Sequence, residues 1–127
     1  MNDRISGLAV LIGKDRVSED PVTLAAYSSD RSFSPAQKPL CVVRPENVTD
    51  VQKIVQWANE THIPLVPISS GPPHFHGDTV PSVSGTVIVD LSGMKRILNI
   101  DRRNRMVVIE PGVTYGELQP VLAVKGL

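Results

Sequence analysis

One cysteine serves the whole 127-residue chain. Cys41 excludes an internal disulfide and a multi-cysteine metal centre. It sits inside an apolar run, which predicts a buried, inert thiol. Excess charge is missing too: thirteen basic and thirteen acidic residues cancel, so no polyanionic partner such as nucleic acid or an acidic membrane surface is indicated. Long hydrophobic runs are absent. The longest early one, 7–13, is too short to span a bilayer and follows Asp3 rather than a basic segment, which argues against a signal peptide. The expectation is a cytoplasmic chain, in which the glycosylation-like triplets at Asn47 and Asn59 are silent. Neither a Walker A motif nor a GxGxxG fingerprint occurs, for Asp78-Thr79 stands where the former needs Lys-Ser/Thr.

What is present has the balance of a soluble globular fold, 41% apolar and 20% charged, at a length that suits one domain or part of one. Residues 4–30 read as helical: Leu8, Leu11 and Ile12 recur at helical spacing, and Pro21 opens a second short helix running to Tyr27. Residues 31–39 are turn-rich. The stretch 1–39 is therefore a helical lead-in to a unit that occupies 40–127.

That unit opens with "LCVVRP", a continuous apolar run ended by Pro45 and expected as a buried strand. Asn47 caps a helix whose apolar stripe is Val48, Val51, Ile54, Val55 and Ala58, with Asp50 in its first turn. "IPLVPI" at 63–68 is a second strand. Strand, helix and strand make a βαβ crossover, and the two strands are expected to be parallel neighbours. "GTVIVDL" (85–91) is a third strand, and 96–101 with 105–112 form a hairpin around Asp101–Asn104. Thr114 caps a last helix in which Pro120 must fall in the first turns, and Lys125-Gly126 closes it. An α/β unit would place a strand next, so the chain reads as the first part of a longer domain.

Between the second and third strands lies "ISSGPPHFHGDTVP" (68–81), at the carboxyl end of a strand, where open α/β sheets bind ligands. Three chemistries compete for it. His74, His76 and Asp78 alternate as metal ligands could, although no fourth ligand is evident and Pro72-Pro73 disfavours a regular strand. Ser69, Ser70, Gly71 and Gly77 offer hydroxyls and closely approachable amides to a phosphate. A plain solvated loop is the third reading.

The order of elements, and the segments "CVVRPENVTDVQKIVQWANETHIPLVPISSG", "GDTVP", "GTVIVDLSGMKRILNID" and "VVIEPGVTYGELQPVL", resemble the FAD-binding domain of the vanillyl-alcohol oxidase/p-cresol methylhydroxylase flavoproteins over residues 20–127. The resemblance implies an α+β PCMH-type fold, a βαβ unit plus a small mixed sheet with flanking helices. It implies FAD, held by backbone amides of the 68–81 loop, with Ser69, Ser70, Gly71 and Gly77 as the cradle and His74 in contact with phosphate. Pro111, Gly112 and Val113 match a segment near the flavin. Some relatives attach FAD through a histidine in this loop, but His74 is offset from their glycine-glycine-histidine pattern, so non-covalent FAD is expected. Pro72 and Pro73 bring no amide donors, and Asp78 puts an anion beside the cradle.

The implied activity is oxidation of a hydroxy acid, alcohol or phenol by hydride transfer to FAD. The family's catalytic residues lie in parts beyond this length, so none is assigned. A chain of this length is expected to be inactive alone and to need the remainder of a flavoenzyme or a second subunit. Two other readings stand beside it: a flavin-free assembly module that self-associates, and a small metal-binding protein using His74, His76 and Asp78.

Overall fold

Three of the expected strands join one sheet in the computed structural model, which describes residues 2–70 and 72–127. In chain order the elements are α1 (Ser6–Ile12), β1 (Val17–Ser18), α2 (Pro21–Ala26), β2 (Cys41–Val43), α3 (Val48–Thr61), β3 (Leu65–Ile68), β4 (Val87–Asp90), β5 (Ile97–Asp101), β6 (Met106–Ile109) and α4 (Tyr115–Val124). The main sheet has the order β1-β2-β4-β3, and β5 and β6 form a separate antiparallel hairpin. This is an α+β architecture, a mixed sheet with flanking helices.

The strand order corrects one expectation. β2 and β3 are both parallel to β4, which lies between them, so they are not neighbours. All four β4 residues are buried, whereas β3 carries Pro67 at an exposed position. Proline cannot donate to a ladder, so β3 suits the edge and β4 the centre. The lead-in also departs from a helical run. Gly13, at φ 102°, ends α1 in a conformation that side chains resist, and Val17 then pairs antiparallel with Val43.

Alternation along the strands sorts the core onto two faces. Cys41, Val43, Val87 and Val89 pack against α1 and α3 with Leu8, Ile54 and Trp57. Val42 and Ile88 face the other way, against Leu24 of α2 and Ile68. Cys41 is fully buried, and burial, with the Glu19 charge behind it, pushes its thiol pKa up to about 12, as an inert thiol requires.

The inward stripe of α3 also differs from expectation. It runs through Asp50, Ile54, Trp57 and Ala58, while Val48 and Val55 are 59% and 45% exposed. Asp50 is tolerated inside because it accepts from the Glu46 amide at 3.0 Å and pairs with Arg16. Burial raises its carboxyl pKa, but those partners outweigh burial and hold it below the usual value.

The caps follow the sequence closely. The Asn47 side chain accepts from the Asp50 amide, and Thr114 forms a reciprocal capping box with Glu117. The Thr114 amide, then Lys95, holds Glu117 down to about 2. Pro120 falls in the second turn of α4. Beyond it, Leu127 donates to the Leu122 carbonyl and Gly126 to that of Ala123, a Schellman closure around Gly126 at φ 70°. Among the described residues no helix is long and apolar enough to cross a membrane.

The phase of α3 is testable by paired truncation. Ile54→Ala should cost about 3 kcal/mol, since Ile54 is fully buried. Val55→Ala, one residue away and half-exposed, should cost less than about 1 kcal/mol. Urea midpoints measure both, and equal losses would return Val55 to the core.

Candidate functional site

Because β3 and β4 run parallel, Ile68 and Asp90 end on the same edge of the sheet. A cavity of about 500 Å³ opens there. Its floor is Ile68 and Asp90, one wall is the end of α2 and the residues after it (Ala26, Tyr27 and Ser29 to Arg31), and the other is Pro72, Pro73 and His74. The loop after β3 is thus folded against the lead-in, and the space between them is the candidate site.

The expected site residues divide into three places. Ser69 and His74 line the cavity, Ser69 exposed and His74 half-buried. Ser70 instead joins two segments: its amide donates to the Pro111 carbonyl and its hydroxyl to the Val113 carbonyl, both at 3.0 Å. That tie brings Pro111, Gly112 and Val113 to the base of the loop. Gly112 is buried, donates to the Met94 carbonyl at 2.7 Å, and has no room for a side chain. A Cβ there would lie 2.3 Å from the Ser92 carbonyl oxygen and 2.6 Å from that of Met94. Gly77 stands at φ 75°, and its N–H is spent on the Asp30 carboxylate at 2.7 Å. Gly71 lies outside the described residues. His76 and Asp78 are exposed, and no group of three or more His, Cys, Asp or Glu that could hold a metal exists among the described residues. The fold does not gather His74, His76 and Asp78 into a metal site.

Several lining residues were not expected. The Tyr27 hydroxyl donates to Asp90 Oδ2 at 2.5 Å across 63 positions of sequence. Asp90, only 5% exposed, also accepts from the Ser92 amide at 3.0 Å, with Arg44 Nε 3.6 Å away. Burial pushes the Asp90 carboxyl pKa up, yet Ser92, Tyr27 and Arg44 outweigh burial and keep it below the ordinary range. Burial, reinforced by Asp90, pushes the Tyr27 hydroxyl upward, so it stays a proton donor. Asp30 is likewise held low: the Ser32 hydroxyl does most, burial pushes the other way, and the Ser32 and Gly77 amides add to the lowering. An aspartate closing the apolar run "VIVD" at a strand's carboxyl end was a readable signal for Asp90. Nothing local marks Tyr27 or Asp30.

Both carboxylates are thus matched by donors, while Ser69, His74, Thr79, Ser92 and Arg31 surround the opening. Hydroxyls, an imidazole and a guanidinium in one rim suit an anionic ligand. A larger hollow of about 820 Å³ lies between the hairpin turn and the end of α4, beside Arg102, Arg103 and Arg105, and holds none of the expected residues.

Gly112→Ala tests the close approach at the base of the loop. The obstructing atoms are backbone, so the substitution should destabilise the chain by more than about 2 kcal/mol, read as a lowered urea midpoint. An unchanged midpoint would mean that the 92–94 turn can move aside.

Comparison with known proteins bears directly on this arrangement. A family model described as "FAD binding domain" matches residues 39–127. The chain is 35% identical over 125 residues to D-2-hydroxyglutarate dehydrogenase of Stutzerimonas stutzeri (strain A1501), covering 97% of this chain and 26% of that protein. It is 32% identical over 119 residues to the flavoprotein subunit of 4-cresol dehydrogenase [hydroxylating] of Pseudomonas putida, covering 92% and 23%. Its structure is similar to that of p-cresol methylhydroxylase with substrate bound, with TM-score 0.86, 30% identity, and coverage of 99% of this chain and 25% of that one. The 4-ethylphenol oxidase of Gulosibacter chungangensis gives TM-score 0.86 at 32% identity, covering 98% and 24%. The chain spans about a quarter of the length of these relatives. With the family model covering most of the chain, and the loop and its supports in place, this chain belongs to the FAD-binding domain of the p-cresol methylhydroxylase/vanillyl-alcohol oxidase flavoproteins, a family of FAD-linked oxidoreductases.

Proposed function

We propose that this chain holds the diphosphate side of a non-covalently bound FAD in the cavity at the ends of β3 and β4. The observation that carries the reading is the rim itself. Ser69, Thr79, Ser92, His74 and Arg31 supply donors around one opening, while the carboxylates beside it are already paired. Pro72 and Pro73 contribute no N–H, and the Ser70 and Gly77 amides are engaged elsewhere. Side-chain donors therefore carry more of the anion's charge here than an all-amide cradle would. Gly112 serves by absence, letting the 111–113 segment approach the 92–94 turn.

FAD, when bound, supplies the two-electron acceptor for oxidation of a hydroxy acid, an alcohol or a phenol. The hydroxy-acid and phenol classes are favoured because the names of relatives matched over nearly all of this chain include a 2-hydroxyglutarate dehydrogenase and a 4-cresol dehydrogenase. Substrate binding and the catalytic acid–base groups belong to the remaining three quarters of such an enzyme. The 127-residue chain binds flavin without turning substrate over.

A second property follows from what is left uncovered. Leu98, Met106 and Val108 on the hairpin, with Tyr115 and Val124 on α4, are 47–89% exposed. Apolar residues in such number favour association. An assembly role without flavin is the competing reading.

Absorption spectroscopy of the purified protein, with added FAD, tests the first reading. Flavin bands that stay in the supernatant after acid precipitation are expected. Bands in the pellet would mean a covalent link, with His74 the nearest candidate, and no bands at all would leave the assembly role in first place. Light scattering tests the second, for which a dimer or larger species is expected; a monomer at all concentrations would count against it.

A further inference from the structure

We infer that Asp30 is a positioning residue for the FAD loop: its carboxylate, reaching out of the lead-in, fixes the loop's middle in the shape that lines the cavity. The inference rests on the FAD reading of this site and concerns a residue that touches the loop rather than the ligand. Among the described residues of 69–86 there is no helix or strand, so their order depends on ties made from outside. The start of the loop is tied by Ser70 to Pro111 and Val113. Its end is tied where Leu40 donates to the Thr86 carbonyl at 2.8 Å.

The middle carries Pro72, Pro73 and His74, the residues that form the cavity wall. Among the described residues its outside ties come from two adjacent positions of the lead-in. The Arg31 amide donates to the His74 carbonyl at 2.9 Å, and the Arg31 guanidinium lies over the Phe75 ring at 5.8 Å. Asp30 Oδ2 takes the Gly77 amide at 2.7 Å.

Asp30 is itself aimed. Its other oxygen accepts from the Ser32 amide at 2.8 Å and from the Ser32 hydroxyl, which leaves Oδ2 turned to the loop. Gly77 complements this: a Cβ there would lie 2.0 Å from Ser34 Oγ and 3.0 Å from Ser34 Cβ, so the loop backbone packs directly on the lead-in's serine side chains. The tie lies wholly within the chain. Ordering the loop through the chain's own atoms lowers the entropy that a bound dinucleotide must overcome.

The test compares wild type, Asp30→Ala and Asp30→Asn in the 127-residue chain. Amide hydrogen exchange at Gly77, with β4 amides as an internal standard, is measured without flavin, and FAD affinity by quenching of flavin fluorescence. In Asp30→Ala, Gly77 exchange should rise about tenfold and FAD binding weaken about tenfold, the scale of one lost charge-assisted hydrogen bond. The β4 amides should keep their protection. Asp30→Asn retains an acceptor of the same shape and should fall between the two. Unchanged Gly77 exchange in Asp30→Ala would overturn the inference, as would faster exchange with undiminished FAD affinity. If Asp30→Ala exposes β4 as well, the Asn variant alone decides. A wild-type chain that binds no FAD would sink the proposed function, and exchange at Gly77 would then settle the role of Asp30 by itself.

Discussion

Parallel pairing on both sides of one buried strand is the constraint from which the site follows. β4 is enclosed by β2 and β3, with side chains packed on both faces. A strand in that position must be apolar along its length and can carry charge only where it leaves the sheet. Asp90 stands at that exit, and the parallel arrangement puts the exit of β3 beside it. Two chain directions and one burial pattern thereby create a shared rim with a polar floor.

Around that rim the chain uses few polar residues, and each joins segments far apart in sequence. Tyr27 secures the end of α2 to Asp90, Ser70 secures the start of the loop to residues 111–113, and Asp30 reaches Gly77. Glu110 does the same for the hairpin, accepting from both the backbone and the guanidinium of Arg96. These bonds are individually modest, but each replaces water at a partly buried group that would otherwise be left unpaired. The result is a loop held by its neighbours instead of by regular structure of its own.

Local chemistry was legible in the sequence wherever the cause lay within a few residues. Asn47, Thr114 and Gly126 each act on the turn beside them. The hairpin around Asp101–Asn104 was equally plain, since Asp101 accepts from the Asn104 amide. The strand order was not, because β2 and β3 resemble neighbours until β4 competes for the centre; Pro67 was the overlooked sign. The inward face of α3 slipped because Val48 and Val55 satisfy a helical spacing as well as Trp57 does, and which face turns inward is decided by α1. At the site, motif resemblance reached the loop and the 111–113 segment. It did not reach Tyr27, Asp30 or Arg44, whose roles exist only after folding.

Pro67 of β3 has an effect beyond strand order. A chain that adds itself to a sheet needs a long edge with regular donors and acceptors. The main sheet offers a two-residue strand at one margin and a proline-bearing one at the other. The hairpin, with flanks five and four residues long and no proline in them, has no such guard. Templated growth of β-structure is therefore discouraged at the sheet that builds the cavity. It is left open at the hairpin, on the part of the molecule that does not line the cavity.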